Sequence, residues 1–156
     1  MATLSMILFS GDYDRAMAAF TIANGAAGAG GKVTIFFTFW GISLLRKRKT
    51  PGKGLLQTLF KSLLPCGPSG LPLTRFNFAG LGPLLLRRLI RPGKTQNLEE
   101  LMEMAAGRGV EFVACQASMD LIGLTRAELL DTPLLRVGDV HDFLQAAKEA
   151  EICLFI

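Results

Sequence analysis

The residues with the clearest chemical potential are three cysteines, Cys66, Cys115 and Cys153. Their odd number, wide spacing and lack of a CxxC pair fit neither a disulfide framework nor a zinc site. His141, the single histidine, follows a predicted helix cap, where a surface or capping role is more common than general-base catalysis. We therefore expect free thiols in a reducing compartment, with no metal and no organic cofactor.

Cys115 is the best candidate for a reactive thiol. It ends a run, residues 109–115, that predicts a buried strand, and it directly precedes Gln116-Ala117-Ser118-Met119, which predicts the start of a helix. Backbone N–H groups and the helix dipole at such a junction can stabilise a thiolate. Gln116, Ser118 and Met119 are therefore candidate binding residues, although cysteine is also a common buried residue and a purely structural role stays open.

The other two cysteines have weaker signals. Cys66 lies in the turn Pro65-Cys66-Gly67-Pro68, where we expect an exposed loop and either a second thiol for Cys115 or an incidental cysteine. Cys153 lies in the apolar run 151–156 that predicts a terminal strand. Core packing is the expectation for Cys153.

Alternating strands and helices must position these residues. The apolar runs 4–9 and 33–39 predict two strands, with a helix capped by Asp12 between them. Asn97 and Asp139 predict the N-caps of two later helices. This alternation predicts an α/β fold with a parallel sheet in three layers.

Ligands of such sheets bind at the carboxyl ends of the strands. Those ends are predicted at residues 10–14, 38–41 and 115–119. Asp12, Thr38 and Trp40 therefore join Cys115 as candidate binding residues. Capping also explains Asp12, and Trp40 either walls a pocket or packs in the core.

The length of 156 residues predicts one domain, 1–156, with an irregular basic and leucine-rich insertion at about 41–94. Residues 1–94 carry 13 of the 17 bases and 2 of the 13 acids, a net charge of +11, whereas the remainder carries −7. Three interpretations compete for the basic and leucine-rich segments: a nucleic-acid surface, an anionic membrane surface and a subunit interface. Few aromatic rings accompany the bases, so we expect no nucleic-acid binding and favour the interface.

Several function classes are excluded by missing patterns. The chain has no uncharged apolar stretch of eighteen residues and no basic region at its start, so we expect a soluble cytoplasmic protein. Glycines 25–31 close a predicted helix before a strand, the reverse of a dinucleotide-binding motif, and no GxxxxGK[ST] sequence occurs.

Three segments resemble the DsrE/DsrF-like sulfur-relay family. Residues 110–123, with Cys115, resemble its cysteine motif, and Thr38-Phe39-Trp40-Gly41 with Leu44-Leu45 resembles the second-strand signature of a branch with a long insertion after it. Residues 137–156 are similar to its last helix and strand. Ala117 departs from the motif, where a larger residue such as methionine is expected.

The resemblance implies a flavodoxin-like fold, a homo-oligomer and a persulfide carried on Cys115. The implied function is that of a sulfur carrier or sulfurtransferase that receives sulfane sulfur from donor proteins or small persulfides and passes it to an acceptor. The alternative is a non-catalytic oligomeric module that binds a ligand or an acidic partner, or attaches to a membrane surface, with Cys115 only structural.

Overall fold

A five-stranded parallel sheet forms the centre of the computed structural model, which describes residues 2–47, 54–73 and 96–156. The strand order is β4-β3-β2-β1-β5, and every neighbouring pair is parallel. The strands are β1 (Leu4–Leu8), β2 (Val33–Phe37), β3 (Glu111–Cys115), β4 (Leu135–Gly138) and β5 (Ile152–Phe155). The predicted parallel α/β sheet is confirmed, and β4 adds a strand that the sequence patterns did not indicate.

Five α-helices of the described ranges accompany the sheet: α1 (Tyr13–Gly28), α2 (Leu55–Leu63), α3 (Leu98–Gly107), α4 (Gln116–Ile122) and α5 (Val140–Glu149). Short 3-10 helices span Phe39–Leu45, Pro68–Gly70 and Arg126–Glu128. Asn97 and Asp139 occupy the predicted N-cap positions, and each forms a capping box. Asp12 occupies the N-cap position of α1, but its carboxylate makes no capping bond and instead lies 3.8 Å from Arg15. None of the described helices combines the length and the hydropathy needed to cross a membrane.

One face of the sheet, called the α1 face, is covered by α1 and α3 and contains most of the core. Because side chains alternate along a strand, Leu4, Met6 and Leu8 all point to this face, and all are buried. Three rings interlock beside them: Phe112 meets Phe20 and Phe37 edge to face, with centroids 5.8 and 5.6 Å apart. This dense layer fixes the positions of the strand ends.

The opposite face, called the α5 face, is thinner. Phe36, Val113 and Cys115 form a small buried cluster there, against which Phe143 of α5 packs. No residue of α5 is fully buried. Arg136 holds the layer by polar contacts, since its Nε donates to Glu111 at 2.6 Å and its Nη1 lies 2.9 Å from Asp142.

The expectation that Cys153 packs in the core is wrong, because its side chain is exposed. Cys153 pairs with Ser5 and thus belongs to the α5 face, and β5 is an edge strand in the described part of the sheet. A helix that covers its face incompletely leaves such a side chain in water. The apolar sequence of β5 is therefore no sign of burial.

Within the described residues, the predicted insertion includes three structured pieces: the end of the 3-10 helix Phe39–Leu45, then α2, then the 3-10 helix Pro68–Gly70. Its remaining basic and leucine-rich parts, residues 48–53 and 74–95, lie outside the described residues. Arg46, the first residue of the basic sequence 46–49, is buried with 1% of its surface exposed. Its guanidinium donates to the carbonyl oxygens of Lys61, Leu64 and Pro65.

Candidate functional site

Cys115 is the last residue of β3, and α4 begins at the next residue. Its side chain is on the α5 face, with 7% of the residue exposed. There it lines a cavity of about 560 Å³ at the carboxyl edge of the sheet. The junction that the sequence predicts for this thiol therefore opens into a space large enough for a small molecule or a short peptide segment.

The cavity is mainly apolar. Its lining comes from four strands' ends and two helices, namely Ile7, Phe9, Phe36, Thr38, Phe39, Cys115, Ala117, Ser118, Leu121, Val140, Phe143 and Phe155. Several residues at its mouth are large, apolar and well exposed: Leu121 by 65%, Val140 by 63% and Phe155 by 69%. The thiol thus lies in an apolar pocket, and the exposed residues of its lining are apolar as well.

Two hydroxyl groups supply the polar side of the cavity. Thr38 Oγ1 and Ser118 Oγ are 2.9 Å apart, and Ser118 Oγ also accepts the backbone N–H of Phe39 at 3.0 Å. Phe39 has a φ of +45°, a left-handed conformation that non-glycine residues rarely adopt. The Ser118 hydroxyl therefore holds a strained turn that directs Phe39 toward Phe9, with ring centroids 5.2 Å apart.

The other candidates on α4 face different environments. The side chain of Gln116 is exposed and donates to Asp120 Oδ1 at 2.7 Å. Met119 is 2% exposed and belongs to the core of the α1 face. Of the α4 candidates, only Ser118 shares the cavity with Cys115.

Asp12 and Trp40 line a neighbouring cavity of about 320 Å³ instead, which also includes Arg15 and Ser43. Phe9 borders both cavities and so forms part of the wall between them. The segments that follow β1 and β2 lie close together at Gly41, whose N–H donates to the carbonyl of Phe9 at 2.9 Å. A Cβ at position 41 would overlap the carbonyl oxygen of Leu8.

Cys66 is half-buried and lies outside the lining of the Cys115 cavity. Its thiol donates to the carbonyl of Arg46 at 3.6 Å. His141 is exposed at the start of α5, where its N–H donates to Asp139 and its ring contacts Gln145. In the three described ranges, no group of three or more His, Cys, Asp or Glu side chains is placed to hold a metal ion.

Most of the apolar lining escaped the sequence patterns. Phe9, Phe143 and Phe155 lie far apart in the chain and carry no motif. One sequence feature could have indicated part of this lining: side chains alternate between the two faces of a strand, and with β1 and β5 paired this alternation places Ile7 and Phe155 on the same face. That inference requires the register between β1 and β5, which the sequence patterns do not provide.

The fold and the site define an α/β protein with a parallel sheet and a cysteine at the carboxyl end of its third strand, inside an apolar cavity. The sequence profile of the DsrE/DsrF/DrsH-like family matches residues 1–155, and the chain belongs to this family. It is 44% identical over 154 residues to the uncharacterized protein YrkE of Bacillus subtilis, covering 97% of this chain and 95% of that protein. It is 27% identical over 166 residues to the sulfur carrier protein DsrE2 of Allochromatium vinosum, covering 98% and 97%.

Solved structures agree with the fold. The ychN protein of E. coli matches with a TM-score of 0.56 at 12% identity, with all of both chains covered. Protein MTH1491 of Methanobacterium thermoautotrophicum, of unknown function, matches with a TM-score of 0.60 at 12% identity and 99% of both chains covered. At this identity the likeness supports the fold alone.

Proposed function

We propose that the protein is a sulfur carrier that holds sulfane sulfur as a persulfide on Cys115. The observation that carries the proposal is the position of this thiol at the end of β3, beside the start of α4 and inside the apolar cavity. Membership of the DsrE/DsrF/DrsH-like family and the relative named a sulfur carrier support a sulfur-relay role.

The proposed transfer needs only sulfur chemistry. The Cys115 thiolate attacks the outer sulfur of a donor persulfide, R–S–SH, so that a new S–S bond forms as the donor's S–S bond breaks. The donor leaves as the thiolate R–S⁻, and the proton stays on the transferred sulfur. An acceptor thiolate then attacks that outer sulfur and releases Cys115 as a thiolate, with no net oxidation or reduction.

The cavity suits the loaded state. Thr38 and Ser118 border the space next to Cys115, and apolar side chains surround the rest of it. An apolar lining limits the access of water and of charged reductants to a stored persulfide. Gln116 and Met119 position α4, one on its surface and the other in the core.

Intact-protein mass spectrometry after treatment with a polysulfide or a glutathione persulfide donor tests the proposal. The decisive protein is the Cys66→Ser/Cys153→Ser variant, which retains Cys115 as its single thiol. Both this variant and the native chain should gain about 32 mass units per added sulfur. The Cys115→Ser variant retains Cys66 and Cys153, so it should gain at least one sulfur fewer than the native chain rather than none.

Cys153 makes this control essential, because an exposed thiol reacts with any sulfur donor. A transfer assay, in which the loaded protein passes its sulfur to an acceptor thiol, distinguishes a sulfur carrier from a thiol that is merely labelled by the donor. We expect the Cys115-only variant to deliver its sulfur to a second protein thiol at the native rate. Sulfur that accumulates equally in Cys115→Ser would mean that Cys115 is not the carrier.

We also propose a homo-oligomer in which the mouth of the cavity lies at or near a subunit contact. The exposed residues Leu121, Val140, Leu144 and Phe155 supply apolar surface on the α5 side. Light scattering of the native chain should give a multiple of 16.9 kDa. A Leu144→Gln/Phe155→Ser variant should have a lower mass, whereas a native monomer at micromolar concentration would contradict the proposal.

A second candidate is a binding module in which Cys115 only packs. The low exposure of Cys115, 7%, favours it. In that case Cys115→Ser would keep the apolar cavity and its ligand, and the Cys115-only variant would gain no sulfur. The mass spectrometry above therefore distinguishes the two candidates.

A further inference from the structure

Polar side chains are scarce in the cavity around Cys115. Of the side chains that line it, Thr38, Ser118 and Cys115 itself carry the polar atoms, and none is a Lys, Arg, His, Asp or Glu. A sulfur atom added to Cys115 would therefore meet apolar groups everywhere except at the two hydroxyls. A hydrogen-bond donor without a partner in such surroundings strongly favours any acceptor that enters.

Thr38 is the neighbour of Cys115 on the adjacent strand. The register of β2 and β3 pairs Phe37 with Ala114, the residues directly before them. Thr38 keeps an extended backbone, with φ −131° and ψ 159°, so the same pairing continues by one position and sets Thr38 beside Cys115. Neighbouring strands are about 4.8 Å apart. The side chains of Thr38 and Cys115 therefore border the same small volume of the cavity.

The two hydroxyls have one proton more than their mutual contact uses. Thr38 Oγ1 and Ser118 Oγ are 2.9 Å apart, so one O–H donates to the other. Ser118 Oγ also accepts the N–H of Phe39 at 3.0 Å, which polarises its own O–H and favours Ser118 as the donor to Thr38. The O–H of Thr38 then has no acceptor among the residues that the structure describes.

The spare O–H of Thr38 does not bond to the thiol. Within the described ranges, no hydrogen bond joins Thr38 or Ser118 to Cys115 Sγ. A persulfide places a second sulfur about 2.05 Å beyond Sγ. Because Cys115 lines the cavity, this outer sulfur enters the space that Thr38 also borders.

We propose that the hydroxyl of Thr38 donates a hydrogen bond to the outer sulfur of the Cys115 persulfide, as the last of three bonds that begin at the N–H of Phe39 and pass through Ser118. This inference rests on the proposed sulfur-carrier function. The bond forms only when Cys115 is loaded, so it favours the persulfide over the free thiol and leaves the free thiol unchanged. Thr38 is thus a binding residue for the transferred sulfur.

Exchange with glutathione persulfide measures this bond. In the Cys66→Ser/Cys153→Ser protein, the Cys115 thiolate takes the outer sulfur with its proton and releases the glutathione thiolate. Mass spectrometry then gives the ratio of loaded to unloaded chain at equilibrium. Thr38→Val, which replaces the hydroxyl by a methyl group, should lower the exchange constant about fivefold, as expected for the loss of one hydrogen bond. Thr38→Ser keeps the hydroxyl and should stay close to the parent protein.

Two controls separate this bond from a general change in the site. Thr34→Val makes the same substitution on the same face of β2 but outside the cavity lining, where Thr34 bonds to Glu111, and should leave the exchange constant unchanged. Alkylation of unloaded Cys115 by iodoacetamide should proceed at the same rate in Thr38→Val and its parent, because the bond needs the outer sulfur. Circular dichroism checks that each variant is folded.

An exchange constant that is unchanged in Thr38→Val would overturn the proposal, and so would an equal loss in Thr38→Ser or Thr34→Val. A parallel fall in the alkylation rate would also overturn it, since Thr38 would then act on the thiol and its surroundings. A Cys115-only variant that takes up no sulfur would contradict the sulfur-carrier function itself. Loading that is insensitive to Thr38 would leave that function standing and remove only the hydrogen bond.

Discussion

The two faces of the sheet differ in how completely they are covered. On the α1 face, the strand side chains of the main cluster are buried, including the rings of Phe37 and Phe112, which pack against Phe20 of α1. On the α5 face, one helix without a fully buried residue leaves a cavity beside Cys115. The comparison teaches that the face that stabilises the fold and the face that exposes a thiol are built from the same strands, one residue apart.

The largest expected effect contrasts one buried ring with one exposed ring. Phe37→Ala removes a fully buried side chain from the α1 face and should lower the free energy of unfolding by about 4 kcal/mol. Phe155→Ala on the α5 face, 69% exposed, should change it by less than about 0.5 kcal/mol. Urea denaturation measures both, and similar losses would mean that the α5 face is covered as well as the α1 face.

The ion pairs should show the same contrast. Lys61 and Glu128 are both buried, so Lys61→Met should cost about 3 kcal/mol by leaving Glu128 buried without its cation. The double variant Lys61→Met/Glu128→Gln should recover much of the loss. Arg136→Met on the α5 face should cost about 1 kcal/mol or less, because its partners are more than a third exposed. A larger loss in Arg136→Met than in Lys61→Met would reverse the comparison.

A smaller effect is expected at the border of the cavity. Ser118→Ala leaves the N–H of Phe39 without its acceptor and should cost about 1–2 kcal/mol. The matched control is Ser62→Ala, since Ser62 is exposed and bonds only to a carbonyl of its own helix. Equal unfolding midpoints for the two variants would show that Ser118 does not hold the left-handed turn.

The smallest effect depends on pH. The N–H of Asp139 and then the positive charge of Arg136 lower the pKa of Asp142 from its ordinary value of 3.8. A carboxyl with a depressed pKa stabilises the fold above its ordinary pKa, and this contribution disappears as the pH falls through the folded value. Asp142→Asn should therefore differ from the native chain near neutral pH and converge with it in acid, between about pH 4 and pH 2. A difference that stays constant across this range would argue against the pKa shift.

Long-range contacts explain what the sequence patterns missed. The strands around Met6, Ile35 and Val113 were predictable because their apolar runs are bounded by turns and helix caps. Strand β4 was missed because it has four residues and includes Arg136, whose charge is paired only once Glu111 is beside it. The four-residue sequence of β4, which includes a charged residue, therefore does not by itself predict a strand.

The position of Cys115 in the site could be predicted from the sequence, whereas the residues that surround it in the cavity could not. Cys115 precedes a helix in the sequence itself, so the junction could be located without tertiary structure. Whether Trp40 or Phe39 faces this thiol depends on the left-handed turn at Phe39, which no local pattern indicates. The burial of Lys61 likewise depends on Glu128, which is distant in sequence.

The close approach of Gly41 to Leu8 constrains anyone who redesigns this protein. A side chain at position 41 would collide with the backbone of β1, whereas one at Gly54 meets open space. In a saturation library, position 41 should retain glycine and position 54 should accept most residues. A grafted loop that replaces the segment after β2 must therefore begin beyond residue 41, where the chain has already left the edge of the sheet.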